Sequence, residues 1–208
     1  MVIISHEHKF IYIKTYKTAS TSIQVLLEKY CGEKDIVTPI EPVTTKKGEL
    51  YNQRARNYDG YSSHMRAVDI KDKVGNKIWN EYYKFTFERN PWDKAVSFYH
   101  FYLIKKEFQK SFEEWISGWI KREKGVSNYD IYTINNKIAV DFIGRYENLT
   151  GDLESIFHKL NLTIDELPRE KSDYRKGSAN YRSYYNNKTR KLIAKRNKRE
   201  IKLFEYSF

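Results

Sequence analysis

The sequence predicts an α/β fold with a mostly parallel sheet, and three observations carry that expectation. Short β-branched and aromatic runs alternate along the chain with segments whose apolar residues recur at helical spacing, the pattern of strand–helix–strand units. Two of the strand-like runs pass straight into sequences suited to open a helix, Thr15–Ser22 and Arg89–Asp93. At 208 residues, with 40% hydrophobic side chains and only 9 Gly and 4 Pro, the chain is long enough for one well-cored domain over 1–208, and disordered or collagen-like classes are excluded.

Taken in order, Lys9–Lys14 (KFIYIK) reads as a buried strand. Ile23, Leu26, Leu27 and Tyr30 follow at helical spacing, and Gly32 closes that helix. Asp35–Ile40 predicts a short strand stopped by Pro39 and Pro42, and 43–62 a long polar loop. Met65–Val74 predicts a helix ending at Gly75, with a further helical turn around Trp79. Tyr82–Glu88 reads as a half-buried strand, and Pro91 suits the first position of the helix carrying Ala95, Val96, Phe98, Tyr99 and Tyr102. Ser111 and Glu114 form a capping box ahead of Trp115 and Trp119. Ile138–Tyr146 predicts a third strand, Thr150 caps a helix with Leu153, Ile156, Phe157 and Leu160, 163–186 form a polar loop, and a basic helix runs from Asn187 to Phe204.

The charge is uneven. Lys+Arg number 38 against 27 Asp+Glu, a net +11. Between Arg169 and Arg199 there are twelve basic residues and two acidic ones, nearly the whole excess. Such a strip is a solvated face, a nucleic-acid patch, or one wall of an anion-binding cleft. One cysteine, Cys31, excludes an internal disulfide and a Cys-rich metal site. No apolar run reaches the length of a membrane span, and Val2–Ile4 is too short for a signal peptide. The expectation is a soluble, cytoplasmic protein of a reducing compartment, with an anionic partner or substrate.

A strand that turns directly into a helix leaves unpaired backbone N–H groups and a positive dipole end, an anion site before any side chain is added. Here Lys17 and the hydroxyls of Thr18, Ser20, Thr21 and Ser22 supplement it, and the small Ala19 lets the backbone approach an oxyanion. The stretch lacks the glycines of a Walker A loop, which counts against an ATP or GTP hydrolase. Arg89 stands at a strand end with a guanidinium fork suited to phosphate, and Ser97 lies about two helical turns beyond it.

Lys17-Thr-Ala-Ser-Thr-Ser22 resembles the 5′-phosphosulfate loop of sulfotransferases that use 3′-phosphoadenosine 5′-phosphosulfate (PAPS), with Tyr16 for the usual proline and Ser20 for the second glycine. Arg89-Asn-Pro-Trp-Asp-Lys-Ala-Val-Ser97 is similar to the 3′-phosphate signature of the same family, with Glu88 in place of an apolar residue. His64-Met-Arg-Ala67 ahead of Trp79 resembles the carbohydrate branch, and Gly144-Arg-Tyr-Glu-Asn-Leu149 the segment whose tyrosine, here Tyr146, lies against adenine. Arg175-Lys-Gly177 resembles the element that grips the 3′-phosphate in cytosolic members.

The resemblance implies a P-loop-like three-layer fold, with a central mostly parallel sheet flanked by helices, and transfer of a sulfuryl group from PAPS to an acceptor hydroxyl, releasing adenosine 3′,5′-bisphosphate (PAP). By it, Lys17 stabilises charge on the bridging oxygen, and Thr18, Ala19, Ser20, Thr21 and Ser22 hold the 5′ end. Arg89, Ser97, Arg175, Lys176 and Gly177 hold the 3′-phosphate, Tyr146 faces the adenine, and His64 is the general base, with no metal required. The acceptor it implies is a glycan or a small hydroxylated molecule. Two other classes remain open on the residues alone: a nucleic-acid binder using 169–199 with Tyr181, Tyr184 and Tyr185, and a P-loop kinase.

Overall fold

The computed structural model describes residues 2–40, 50–106, 110–122, 127–163 and 180–208. Contacts divide the chain into two compact units, Met1–Glu88 with Asp130–Lys171, and Arg89–Tyr129 with Ser172–Phe208. In chain order the first unit contains β1 (Val2–Ser5), β2 (Phe10–Ile13), α1 (Ser20–Glu28), β3 (Ile36–Val37), α2 (Ala67–Glu81), β4 (Tyr83–Glu88), β5 (Thr133–Ile134), β6 (Lys137–Ile138), β7 (Phe142–Arg145) and α5 (Leu149–Lys159). The second contains α3 (Pro91–Lys106), α4 (Phe112–Arg122), α6 (Asn187–Arg196) and α7 (Lys198–Phe204).

Five strands form one sheet in the order β3-β1-β2-β4-β7. The pairs β2–β4 and β4–β7 are parallel, while β1 runs antiparallel to both β2 and β3. The expected α/β architecture is therefore present with a mixed sheet, its parallel half carrying the two motif-bearing strands. The antiparallel half comes from Val2–Ser5, read from sequence only as too short for a signal peptide. It hairpins onto β2 with Val2 opposite Ile13.

One sheet face is apolar because alternate residues of β2 and β4 point to it. Phe10, Tyr12, Phe85 and Phe87 join Ile3 there and are covered by Ile23, Leu26 and Leu27 of α1 and by Leu153, Ile156 and Phe157 of α5. Each such side chain taken fully out of water contributes about 1.5–3 kcal/mol. The intervening Lys84, Thr86 and Glu88 of β4 are buried too, on the opposite face. The second unit has an aromatic core in which Phe98 packs on Trp119 at 4.8 Å and Trp115 stacks on Trp119 at 4.6 Å.

Several boundaries differ from the expectation. The predicted strand Ile138–Tyr146 splits into β6 and β7, with Tyr146 already in a 3₁₀ turn. Asn148, not Thr150, precedes α5. The break at Gly75, by contrast, is as expected: helical geometry stops there, at φ 78°, and a further helical stretch runs through Trp79. The basic helix breaks at Asn197, although the Asn197 and Ile201 amides donate to Ile193 and Asn197 at 3.0 Å on either side of the break. The Ser111–Glu114 capping box is present, its two backbone bonds at 2.9 and 3.3 Å.

Gly144 stands opposite Phe87 across the β4–β7 ladder, and a Cβ placed on it would lie 2.3 Å from a ring carbon of Phe87. The ring is fully buried, so relieving the clash requires its packed neighbours to shift. Gly144→Ala should therefore destabilise the fold by roughly 1–3 kcal/mol through overpacking, read as a lower denaturation midpoint. An unchanged midpoint would show that Phe87 can move.

The order of connections positions the site. From β2 the chain leaves through α1 toward β3 on one side of the sheet, whereas from β4 it goes on to β7 on the other. The carboxyl ends of β2 and β4 thus flank a topological switch point, the place where open α/β sheets bind ligands. Threonine hydroxyls stitch these ends together, Thr86 donating to the Ile13 carbonyl at 2.6 Å and Thr15 to that of Phe87. Among the described residues, no helix is long and apolar enough to cross a membrane.

Candidate functional site

Between β2 and α1 the backbone takes the left-handed conformation twice, at Lys17 (φ 59°) and Ala19 (φ 56°), with Thr18 between them outside it. Alternation of this kind turns successive N–H groups toward one point and makes an anion-binding concavity. Non-glycine residues hold that geometry at a cost, so the loop must be fixed by its surroundings. Thr15 and Thr18 join hydroxyls at 3.0 Å, and the fully buried Thr18 also donates to the Thr15 carbonyl at 3.4 Å. What Thr18 offers a ligand is consequently its amide, since its hydroxyl is spent inside the loop.

No side-chain hydroxyl caps α1. Its N-cap is Ala19, which has no side chain to do so, and its first turn contains no acidic residue. That leaves the helix amino end to an external anion. Ser20 lies within the helix, where a second glycine is not needed, and Ser20 and Ser22 are buried. Lys17, Ala19 and Thr21 are half-buried.

His64 is brought to this loop. It too is left-handed (φ 56°), its ring stacks on Tyr16 with centroids 3.6 Å apart, and its Nδ1 lies 3.2 Å from the Lys14 carbonyl. A carbonyl only accepts, so Nδ1 donates and the lone pair sits on Nε2. Burial, reinforced by the positive charges of the chain's amino terminus, Lys14 and Lys17, lowers the imidazole pKa from 6.5 to about 3. The ring of the free protein is thus neutral throughout the working range. The remaining histidines lack such a setting. His6 bonds the Tyr82 hydroxyl at 2.8 Å, His100 that of Tyr184 at 2.9 Å, and His158 is exposed.

In the second unit, Asn90 accepts from the amides of Trp92 and Asp93 at 3.1 and 3.4 Å, capping the turn that Pro91 opens. Trp92 is anchored by its indole N–H on the Arg190 carbonyl at 3.1 Å and by an edge contact with Phe208. The central residues of this signature are therefore structural. They hold Arg89, whose Nε and Nη2 donate to Asp93 Oδ2 at 2.8 and 2.7 Å. Arg89 is buried, which fixes the direction of its fork, and Ser97 is half-buried on α3. Glu88 is fully buried and accepts from the Tyr132 hydroxyl at 3.3 Å.

Tyr146, half-buried, leaves the sheet at the end of β7, beside the exit of β4. Arg175, Lys176 and Gly177 lie outside the described residues, as do the other basic residues of 169–176. Of the three tyrosines that a nucleic-acid reading would use for stacking, Tyr184 bonds His100, Tyr185 donates to the Trp92 carbonyl at 2.8 Å, and Tyr181 packs edge-on against Phe208. Sequence reasoning missed Lys14 and Tyr16. Lys14 reads as the last residue of a strand, yet its ammonium reaches Thr21 Oγ1 at 3.2 Å.

Known proteins agree with this architecture. The mouse sulfotransferase SULT7A1, in a crystal structure complexed with PAP, matches over 98% of this chain and 91% of its own with a TM-score of 0.59. At 14% identity that likeness shows a shared fold. An uncharacterized protein of Archaeoglobus fulgidus is 42% identical over 100 residues, 47% of this chain and 83% of that protein. The model of the Sulfotransferase family matches residues 1–207. Since that match takes in the uncapped helix start, His64 and the Arg89 signature alike, the chain belongs to the sulfotransferase family.

Proposed function

We propose that this sulfotransferase moves a sulfuryl group from PAPS to an acceptor hydroxyl on a carbohydrate. The observation that carries the reading is the uncapped amino end of α1, with its left-handed pair Lys17 and Ala19, at the β2–β4 switch point. A site of converging amides without an acidic residue fits the sulfuryl–phosphate end of an anionic donor. Arg89 and Ser97 take the 3′-phosphate in this reading, together with Arg175, Lys176 and Gly177, and Tyr146 faces the adenine. The carbohydrate acceptor and the role of His64 rest on the resemblance of His64–Ala67 to that branch.

In the transfer, the acceptor oxygen bonds to sulfur as the bond from sulfur to the bridging oxygen breaks, and PAP leaves. The acceptor proton goes to Nε2 of His64, the ring nitrogen whose lone pair the Lys14 carbonyl leaves available. Lys17 and the amides of 18–22 meet the charge that grows on the bridging oxygen.

Calorimetry with PAP against 5′-AMP tests the 3′ assignment. A charge-assisted bond to one phosphate is worth about 1.5–3 kcal/mol, so PAP should bind at least about tenfold tighter. Arg89→Ala should remove most of the difference. Equal affinities in the natural protein would refute the 3′ pocket.

A further inference from the structure

We propose that Lys14 is a further positioning residue of the transfer site, tying the imidazole of His64 to the first turn of α1. The proposal rests on the donor reading above. Lys14 lies outside the Lys17–Ser22 motif, and its side chain is only 2% exposed. Lysine is rarely so buried without a polar engagement. Two of its contacts run in different directions. Its carbonyl accepts from Nδ1 of His64 at 3.2 Å, and its ammonium donates to Thr21 Oγ1, also at 3.2 Å. A single residue therefore touches both the proposed base and the helix turn proposed to receive the donor.

The two contacts act on one equilibrium. The Lys14 carbonyl fixes which ring nitrogen carries the proton. After burial, which is the largest effect, the positive charge of the chain's amino terminus and then the ammonium groups of Lys14 and Lys17 oppose a positive charge on the ring. Tyr16 stacks on the imidazole. While the helix end is empty, protonation of Nε2 is costly. An anionic group bound at 17–22 offsets the charges of Lys14 and Lys17, and the imidazolium then forms at lower cost. The base gains strength when the donor is in place, so proton removal from the acceptor is coupled to donor occupancy through Lys14.

The ¹⁵N shifts of the His64 ring, followed against pH with and without saturating PAP, test this. In the natural protein the ring should be neutral with hydrogen on Nδ1, and PAP should raise the titration midpoint by a unit or more, tenfold in proton affinity. Lys14→Met should raise the midpoint of the free protein and shrink the further rise on PAP binding to less than half. Lys14→Arg, which keeps the charge, should restore the natural response. An unmoved His64 in Lys14→Met that still binds PAP would overturn the coupling. Should Lys14→Met fail to fold, the natural protein decides alone, because a midpoint indifferent to bound PAP also overturns it. Absence of any PAP binding to the natural protein would overturn the donor reading and the coupling with it.

Discussion

Lys17→Ala should lower the single-turnover rate by about 10²–10³ and leave the fold intact. The size follows from the placement of charge. In transfer from PAPS the bond between sulfur and the bridging oxygen breaks, and loss of one preorganised donor to a developing oxyanion costs about 2.7–4 kcal/mol of barrier. Lys17 is the half-buried cation of the left-handed pair, at φ 59°, and the amides of the α1 turn that remain in the variant keep the loss from being total. The fold should not suffer, because an alanine at this φ bears the same backbone strain as the lysine it replaces, and stability should change by no more than about 0.5 kcal/mol. Rapid-quench transfer rates with the denaturation midpoint as companion measurement separate the two effects. A rate equal to that of the natural protein would remove Lys17 from the mechanism.

The parts of the fold with a periodic signal were readable from sequence, and those set by backbone conformation were not. β2, α1, β4 and the start of α3 follow from apolar spacing, from Pro91 and from the Asn90 cap. β1 escaped because its turn to β2 contains neither Gly nor Asn. Lys9 supplies the left-handed residue instead, at φ 52°. Thr150 looked like the better cap for α5, but Asn148 stands before the helix and bonds Asp152 at 2.9 Å.

At the site, Lys17, His64 and Arg89 are legible because each sits in a short motif. The anion-binding shape is not, since glycine is the usual mark of φ > 0 and here Lys17, Ala19 and His64 adopt it. Nor does the sequence disclose that Asp93 holds Arg89 or that the Lys14 carbonyl holds His64. Both bonds depend on where the chain bends. The same distinction separates the two signatures. Asn90, Pro91 and Trp92 form a helix start that any packed α/β protein could use, whereas no packing need explains an uncapped helix end at a switch point.

His64→Gln should depress turnover by about 10²–10⁴, the range for loss of a general base, with PAP affinity retained. Glutamine can still donate its amide to the Lys14 carbonyl, so the local hydrogen bond survives while the proton acceptor is lost. Stability carries a second signature. The folded pKa of His64, about 3, lies below the unfolded value of 6.5, so between those limits the unfolded chain binds more protons than the folded one. The stability due to the neutral ring is complete above pH 6.5 and is lost progressively as pH falls toward 3. His64→Gln has no such proton to bind, and its denaturation midpoint should fall less steeply over that interval. Turnover unaffected by the change would exclude His64 as the base. Joint loss of turnover and PAP binding would make it a structural residue, because a base that acts only on the acceptor proton has no reason to hold the donor.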